Sequence, residues 1–378
     1  MSKLKQKEQP RIPLAEFFNR RIAVVIFLVI ACLAGLPLKI QNIGLNGYIS
    51  DDAWWHYRQI KHVVETGKRL NPDIYEFVSL SRPQTYPPLF HYTVAYIYKL
   101  FRPFSRLVSF THYYNILEGI LYILLIYAIA YLLTQDKIFS IIGALSASVS
   151  YGMIIRARAG ELMPFVLGDL LALAGVCLLL LVIRRPKDDS VNSYSILSGI
   201  FFGLSMLSWA GAVLIYVPLV FLAFAALIIA KPGRYKKTLK LFFLCALAFM
   251  AIVLPWYLPI INKYGLNPHS PEMSWFMQNF TVLRQVKPFN FYIFTTGISI
   301  FFLPIAFLAC LFKRKPAALF LLSWIILAAI STYSGWRGYV AVVPVVSAIA
   351  MSFVLSKALR PILRKAQPIF RRYLWFYF

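Results

Sequence analysis

Two adjacent acids, Asp51 and Asp52, follow the first membrane-length apolar segment, at the start of the sequence Asp-Asp-Ala-Trp-Trp-His-Tyr-Arg. The chain has only 14 acidic residues against 39 basic ones, so an acidic pair among aromatic residues stands out from this composition. Carboxylates in such a setting can bind a cation or take a proton from a nucleophile. The pattern predicts that this pair is the centre of an active site. The open alternative is that Ser50 caps a helix and the acids only complement its dipole.

The residues after the acidic pair add basic and aromatic groups to the same loop. A helix that begins at Asp51 would carry four side chains on one face, by the spacing of helical neighbours: Asp52, Trp55, His56 and Gln59. Trp54, Arg58 and, further along, Tyr86 belong to the same loop. A helix cap explains one acid but not this aromatic and basic continuation, so the segment favours a site over a cap.

Two more segments carry groups that suit phosphate chemistry. Arg156, Arg158 and Glu161 follow an apolar segment, and Arg337 stands between glycines before the last one. Guanidinium groups match phosphate oxygens, and an arginine near the membrane is costly if it stays unpaired. Both segments also fit basic side chains that only anchor helix ends. Glu272 lies in a proline-containing loop that, by composition alone, is more typical of a turn.

The elements that must position these residues are membrane helices. Sixty per cent of the residues are hydrophobic and 14% are charged, and the mean hydropathy is +0.68. This composition indicates an all-α integral membrane protein rather than a soluble one, and apolar segments of about 20 residues suit transmembrane helices. We predict about ten spans: 22–38, 116–133, 139–155, 164–183, 196–209, 213–230, 241–261, 292–312, 317–330 and 340–355.

The basic residues fix the predicted orientation. They punctuate the apolar segments instead of forming one basic face, which excludes nucleic acid as the expected partner and is typical of cytoplasmic loops. We expect both termini to be cytoplasmic and the loops 41–114 and 262–290 to be extracytoplasmic, in a single domain over residues 1–378. The short apolar segment 87–101 predicts an amphipathic helix in the outer membrane interface. Asp169, inside the fourth span, is a functional candidate or a partner for a neighbouring helix.

In their order along the chain, these segments resemble the GT-C glycosyltransferases, specifically the membrane half of oligosaccharyltransferase catalytic subunits. The resemblance rests on Asp52 to Arg58, Tyr86-Pro87, Arg156-x-x-x-Gly160, Trp209-x-Gly211, Glu272 and Arg337. It implies that Asp52 is a metal-binding catalytic acid, that Glu272 is the acid of the late loop, and that Arg337 contacts the lipid-linked phosphate. Two positions where that family has acids are Met163 and Phe165 here, which leaves Glu161 as the nearby acid. The family's soluble C-terminal domain has no counterpart in this sequence.

The resemblance implies an inverting transfer of sugar from a polyprenyl-phosphate-linked donor, at the extracytoplasmic face of the cell membrane, to a glycan, lipid or protein acceptor. We expect Asp52, Asp51, Glu161 and Glu272 to be catalytic, and Asp52 with Glu161 to hold a divalent cation, Mg or Mn, if one is used. The donor phosphate would lie on Arg337, Arg156 and Arg158. Contacts with sugar or acceptor would come from His56, Arg58, Trp54, Trp55 and Tyr86. A transporter or flippase of lipid-linked glycans, and a non-catalytic subunit of a glycosylation complex, are the alternatives.

Overall fold

The computed structural model describes residues 14–71, 86–185, 189–264, 289–312, 315–333 and 339–374, and within these ranges all regular structure is helical. Two short 3₁₀ turns, Pro232–Arg234 and Gly297–Phe301, join neighbouring helices. The helices are α1 Leu14–Ala34, α2 Leu36–Lys39, α3 Asp51–Thr66, α4 Leu89–Phe101, α5 Leu107–Thr134, α6 Lys137–Ser148, α7 Tyr151–Arg156, α8 Pro164–Arg184, α9 Val191–Ser208, α10 Ala212–Ala230, α11 Tyr235–Tyr264, α12 Phe289–Thr296, α13 Phe302–Leu311, α14 Pro316–Tyr333 and α15 Tyr339–Leu374.

The apolar helices confirm a helical integral membrane protein. In the described part of the chain, 7 segments are long and apolar enough to cross a bilayer. They are Ile22–Lys39, Leu107–Thr134, Pro164–Arg184, Val191–Ser208, Pro232–Lys263, Asn290–Leu311 and Val342–Ile362. Three shorter apolar helices are Lys137–Ser148, Ile215–Ala230 and Pro316–Ile330. Each of the ten predicted spans overlaps one of these segments.

The third predicted span, 139–155, is wrong as a continuous helix. Helix α6 ends at Ser148 and α7 begins at Tyr151, because the chain turns through an extended Ser150. The Ser148 hydroxyl accepts a hydrogen bond from the Gly35 backbone N–H at 3.1 Å. A Cβ on Gly35 would overlap the Ser148 carbonyl oxygen, so the two chains approach closely only because residue 35 is glycine. After the break, the segment that follows α7 packs against the end of α2, where the Ala159 backbone N–H donates to the Lys39 carbonyl oxygen at 2.8 Å.

Helices α8 and α9 pack along their full length through serines. Ser198, Ser205 and Ser208 of α9 donate to the carbonyl oxygens of Gly175, Gly168 and Pro164 of α8, at 2.9, 2.6 and 3.0 Å. Small residues of this kind let two membrane helices approach closely. The contact fixes the start of α8, which carries Asp169 in its second turn.

Helices α3 and α4 form a compact helical unit. Helix α4 is confirmed as a separate 13-residue helix and is not among the candidate spans. Its buried face packs on α3, and the shared apolar cluster continues to the start of α5 and to α8. The cluster includes Ala53, Ile60, Val63, Phe90, Val94, Ala95, Tyr98, Leu107, Phe110, Tyr114, Leu162, Met163 and Leu167. The loop that holds the acidic pair is therefore built onto the membrane helices by its own core.

Candidate active site

The acidic pair lies at the N-terminus of α3. Ser50 is the N-cap, and its hydroxyl accepts a hydrogen bond from the Ala53 backbone N–H at 3.3 Å. Asp51 and Asp52 occupy the first turn, and both side chains are exposed. The helix boundary predicted from the sequence is confirmed. The cap also exists, so the capping interpretation holds for Ser50, while both carboxylates are accessible to a ligand.

The segment after α7 brings Glu161 to the same helix terminus. Its carboxylate accepts a hydrogen bond from the Ser50 hydroxyl at 3.3 Å and pairs with Arg158 at 2.9 Å. A backbone hydrogen bond of 2.9 Å from the Ile49 N–H to the Gly160 carbonyl joins the two segments. Gly160 has a φ of 85°, a conformation that glycine adopts without strain. Glu161 is therefore held one residue away from the acidic pair, although it is 110 positions further along the chain than Asp51.

Arg156 points away from this group. Its guanidinium donates to the Asp169 carboxylate at 2.7 Å, and both side chains are buried. Tyr216 donates to the other oxygen of that carboxylate at 3.0 Å, and the Phe165 ring lies 4.2 Å from the guanidinium. Asp169 already neutralises the charge of Arg156 inside the protein. We therefore do not count Arg156 among the candidate phosphate ligands. Asp169 takes the second of its two predicted roles, as the partner of another helix's charge.

A second group, of aromatic and imidazole rings, surrounds His56. Trp55, Tyr86 and His91 have ring centroids 4.7, 5.3 and 5.1 Å from that of His56. Trp55 also contacts Tyr86, at 5.4 Å. These two aromatic residues, expected from the sequence to contact substrate, thus meet His56 in one cluster. We call Trp55, His56, Tyr86 and His91 the ring cluster.

Trp54 does not belong to the ring cluster. It packs on Tyr48 and Tyr57, with centroid distances of 5.1 and 6.0 Å, and remains 44% exposed. Neighbouring residues on a helix diverge by about 100°, so Trp54 and Trp55 pack against different residues. Arg58 is half-buried one turn beyond Trp54.

Arg69 and the C-terminal part of α11 lie beside the ring cluster. The Arg69 guanidinium donates to the Tyr86 carbonyl oxygen at 2.8 Å and lies over the Trp256 ring at 5.2 Å. Burial raises the pKa of the Tyr86 phenol well above its usual range, and the negative charge of Asp52 raises it further. Asp52 lies three and four residues before Trp55 and His56 on α3, which places it on the face of the helix that carries the ring cluster. The acidic pair and the ring cluster are therefore neighbouring parts of one site.

Both histidines of the ring cluster are neutral near pH 7. Burial, followed by the Arg69 charge, lowers the pKa of His56 to about 3. The pKa of His91 is also lowered, by burial and then by His56 and Arg69. Neither ring is a cation that could pair with a phosphate.

Two of the predicted site residues, Glu272 and Arg337, lie outside the described residues. Within the described ranges, no group of three or more His, Cys, Asp or Glu side chains could hold a metal ion. Both oxygens of Glu161 already have partners in Ser50 and Arg158. The described residues therefore do not form a complete site for the divalent cation expected from the sequence.

Three members of the site were not expected from the sequence: His91, Arg69 and Trp256. His91 is one of four histidines in the loop 41–114, out of 5 in the chain, so its residue type does not single it out. Arg69 and Trp256 carry no local pattern that marks them, because only the folded chain brings them to the ring cluster.

Comparison with solved structures finds the same fold in membrane glycosyltransferases. The archaeal oligosaccharyltransferase AglB from Archaeoglobus fulgidus, in complex with an inhibitory peptide and a dolichol-phosphate, superposes with a TM-score of 0.73 at 16% identity. The match covers 93% of this chain and 52% of that one. A further Archaeoglobus fulgidus oligosaccharyltransferase structure, complexed with Zn and sulfate, gives a TM-score of 0.67 at 18% identity, over 92% of this chain and 51% of that one.

A more distant structure and one curated sequence complete the comparison. ArnT from Cupriavidus metallidurans, bound to undecaprenyl phosphate, has a TM-score of 0.56 at 14% identity, over 89% of this chain and 60% of that one. The curated "Dolichyl-phosphooligosaccharide-protein glycotransferase 2" of Archaeoglobus fulgidus is 27% identical over 190 residues, 49% of this chain and 30% of that protein. This chain spans about half the length of these structures.

The chain thus shares its fold with these oligosaccharyltransferase and ArnT structures, and the match covers about half of the oligosaccharyltransferase chains. The resemblance expected from the sequence is confirmed at the level of the fold. More particularly, the model described as "Family of unknown function (DUF6541)" matches residues 2–366, and the chain belongs to that family.

Proposed function

We propose that the protein is an inverting glycosyltransferase that takes a sugar from a polyprenyl-phosphate-linked donor at the extracytoplasmic face of the membrane. The observation that carries this proposal is the junction of α3 with the segment after α7. It holds the exposed Asp51 and Asp52 beside Glu161 and Arg158 at one helix terminus, on a GT-C fold. The solved relatives bound to dolichol-phosphate and undecaprenyl phosphate support a donor of that class.

The chemistry follows from the groups that meet there. An acceptor hydroxyl or amide attacks the anomeric carbon, a new bond forms to that carbon, and the bond from carbon to the phosphate oxygen breaks. Asp52 takes the acceptor's proton, and polyprenyl phosphate leaves with the electron pair of the broken bond. Asp51 and Glu161 orient the acceptor beside Asp52. One displacement of this kind inverts the anomeric centre.

The leaving phosphate needs positive charge at the site. Arg158 is 29% exposed, spends one terminal N–H group on Glu161, and can offer others to phosphate oxygens. We propose Arg337 as the second phosphate ligand, from its match to the family's late arginine. Charge that is placed before the reaction stabilises the phosphate as its negative charge grows.

A divalent cation would supply charge for the same purpose, and a relative's complex with Zn and sulfate is consistent with a metal in this fold. Among the described residues, Asp51 and Asp52 supply two exposed carboxylates. Two such ligands are too few to enclose a divalent cation. No step of the proposed mechanism passes through a metal.

The proposed orientation rests on charge. By the positive-inside rule, the basic segments would face the cytoplasm together with both termini. These segments are the turn at Lys137, the loop at 231–240 and the basic end of the last helix. The first loop, which carries α3 and α4, then faces outward.

The proposal is tested with the purified full chain in proteoliposomes that contain dolichyl or undecaprenyl phosphate carrying a radiolabelled sugar. Loss of label from the lipid is followed for the wild type, for Asp52→Asn and for the control Glu65→Gln. Glu65 is an exposed acid at the far end of the same helix, paired at 3.9 Å with Lys61. We expect Asp52→Asn to slow transfer by at least ~100-fold, in the range typical of a general base, and Glu65→Gln to leave it unchanged.

Full activity in Asp52→Asn would remove that residue from the chemistry. Movement of the intact labelled lipid across the bilayer, with no transfer, would favour the transporter. Neither donor binding nor transfer would favour a non-catalytic subunit. The phosphate role of Arg337 predicts that Arg337→Ala weakens donor binding much more than Arg337→Lys does, and equal affinities would contradict it.

A further inference from the structure

Three polar side chains of the first loop form a hydrogen-bonded chain that ends in the ring cluster. Arg69 lies 3.3 Å from His91 Nδ1, and His91 Nε2 lies 2.8 Å from His56 Nδ1. All three residues are buried, with 9%, 0% and 4% of their surfaces exposed for Arg69, His91 and His56. The contacts join α3, the turn after it, and α4.

The order of donors along this chain follows from the arginine. A guanidinium only donates, so His91 Nδ1 must be the acceptor and carries no proton. A neutral His91 then carries its proton on Nε2 and donates it to His56 Nδ1. His56 in turn carries its proton on Nε2, since a neutral imidazole has one N–H. That last N–H has no hydrogen-bond partner among the residues that the structure describes.

The turn after α3 is built to hold Arg69 in place. Gly67 ends α3 with a φ of 78°, which turns the chain back along the helix. The Gln59 side chain then accepts a hydrogen bond from the Leu70 backbone N–H at 3.1 Å. With its bonds to the carbonyl oxygens of Tyr86 and Pro87, Arg69 is fixed on both sides.

We propose that Arg69 and His91 are positioning residues that hold His56 as a neutral Nε2–H donor, and that this N–H binds a hydroxyl oxygen of the donor sugar. The part of this proposal that concerns the donor sugar rests on the proposed function. A neutral N–H on a ring that contacts both Trp55 and Tyr86 suits a sugar, which offers hydroxyl oxygens and apolar C–H faces. An anionic phosphate is bound better by a charged donor.

The charged group that contacts the two imidazoles is Arg69, which repels a proton on either histidine. Burial raises the pKa of the Tyr86 phenol, so that this neighbour is uncharged at neutral pH. Asp52, one turn before His56 on α3, is exposed to solvent, which screens its charge. A donor that does not titrate near neutral pH offers the same hydrogen bond across the physiological range.

The first test reads the tautomers directly and needs no transfer activity. The full chain, labelled with ¹⁵N-histidine, is studied by NMR in detergent, and its 5 histidines are assigned with single-residue variants. We expect the neutral Nε2–H pattern for both His56 and His91 from pH 5 to 8. In His91→Leu, we expect His56 to show mixed tautomers and to titrate nearer pH 6, whereas His91→Gln, which keeps an N–H donor, retains the wild-type pattern. Nδ1–H tautomers, or protonation of His56 in the wild type above pH 5, would overturn the positioning role.

The second test locates the bound group. Binding of dolichyl phosphate carrying glucose or mannose is compared with binding of the bare lipid phosphate, for the wild type, His56→Leu and the control His62→Gln. We expect the wild type to prefer a sugar-bearing lipid, and His56→Leu to lose about 10-fold affinity for that lipid alone. His62 lies on the same helix outside the ring cluster, and its variant should match the wild type. Equal weakening for the bare lipid, or no sugar preference in the wild type, would overturn the sugar contact. A failure of transfer with this binding pattern intact would count against the proposed function only.

Discussion

Arg156 and Arg158 stand two residues apart and have opposite surroundings. Arg156 pairs with Asp169 at 2.7 Å, with 10% and 0% of the two side chains exposed. Arg158 pairs with Glu161 at 2.9 Å, with 29% and 14% exposed. The buried pair is also bound by Tyr216, so its charges are fully used inside the helices. The difference shows that burial, and not residue type, separates the two arginines, and it leaves Arg158 the more accessible of the two.

The largest effect should come from breaking the buried pair. Asp169→Ala leaves the Arg156 charge buried without a partner, which costs about 3–5 kcal/mol in proteins. Glu161→Ala should cost at most about 1 kcal/mol, because solvent screens that pair. Unfolding of the purified protein in mixed detergent measures both. The double variant Arg156→Met, Asp169→Leu should recover most of the loss, and equal losses for the two alanine variants would break the comparison.

The buried imidazole of His56 makes the stability of the protein depend on pH. The pKa of His56 is about 3 in the folded protein, below its ordinary value of 6.5. His56 therefore binds a proton more readily in the unfolded chain than in the folded protein. The free energy of unfolding is highest above pH 6.5 and decreases as the pH falls below that value. Between pH 7 and 5 the loss should be about 2 kcal/mol for this residue.

In His56→Gln this part of the pH dependence should disappear, so that its unfolding free energy falls less between pH 7 and 5 than that of the wild type. His62→Gln, on the same helix, is the control and should keep the wild-type slope. An unchanged slope in His56→Gln would show that the ring is not held neutral.

A smaller effect is expected where α3 meets the Glu161 segment. Ser50→Ala removes the N-cap of α3 and the hydrogen bond to Glu161, and a lost cap of this kind costs about 1 kcal/mol. Ser50→Thr keeps both hydroxyl contacts and should behave like the wild type. Thermal unfolding of the three forms gives the ranking, and an alanine variant as stable as the wild type would show that the junction contributes nothing.

The smallest effect on stability should follow Arg158→Met, below about 1 kcal/mol, because the pair with Glu161 is partly exposed. Its effect on donor affinity should be larger, since the variant removes a phosphate donor while it keeps the apolar stem. Donor binding and unfolding, measured on one preparation, separate the two. A large loss of stability with unchanged donor affinity would give Arg158 the structural role that we assign to Arg156.

Much of the fold could be predicted from the sequence because local patterns carry it. The start of α3 at Asp51, the separate helix α4 and the positions of the apolar helices follow from capping, amphipathicity and hydropathy. The break between α6 and α7 could not be predicted, since no proline marks it. It depends on the approach of Gly35 to Ser148, which lie 113 residues apart.

The site was only partly predictable for the same reason. The acidic pair, Glu161 and the rings of Trp55 and Tyr86 were identified by residue type, and the folded chain brings Glu161 to Ser50. The partner of Arg156 was not identified from the sequence, because Asp169 lies in the next helix and many pairings could neutralise a buried charge. The contact of Arg69 with His91 likewise depends on how the turn after α3 closes.

The central claim is that Asp52 and Glu161 act together in one site, and a double-mutant cycle of sugar transfer tests it most directly. Transfer from the labelled lipid is measured for Asp52→Asn, Glu161→Gln and the double variant, with unfolding as the control for folding. We expect Asp52→Asn to lose at least ~100-fold, Glu161→Gln at least ~10-fold, and the double variant no more than Asp52→Asn alone, as for residues that act as a unit. Losses that multiply in the double variant, or full activity in either single variant, would contradict the account.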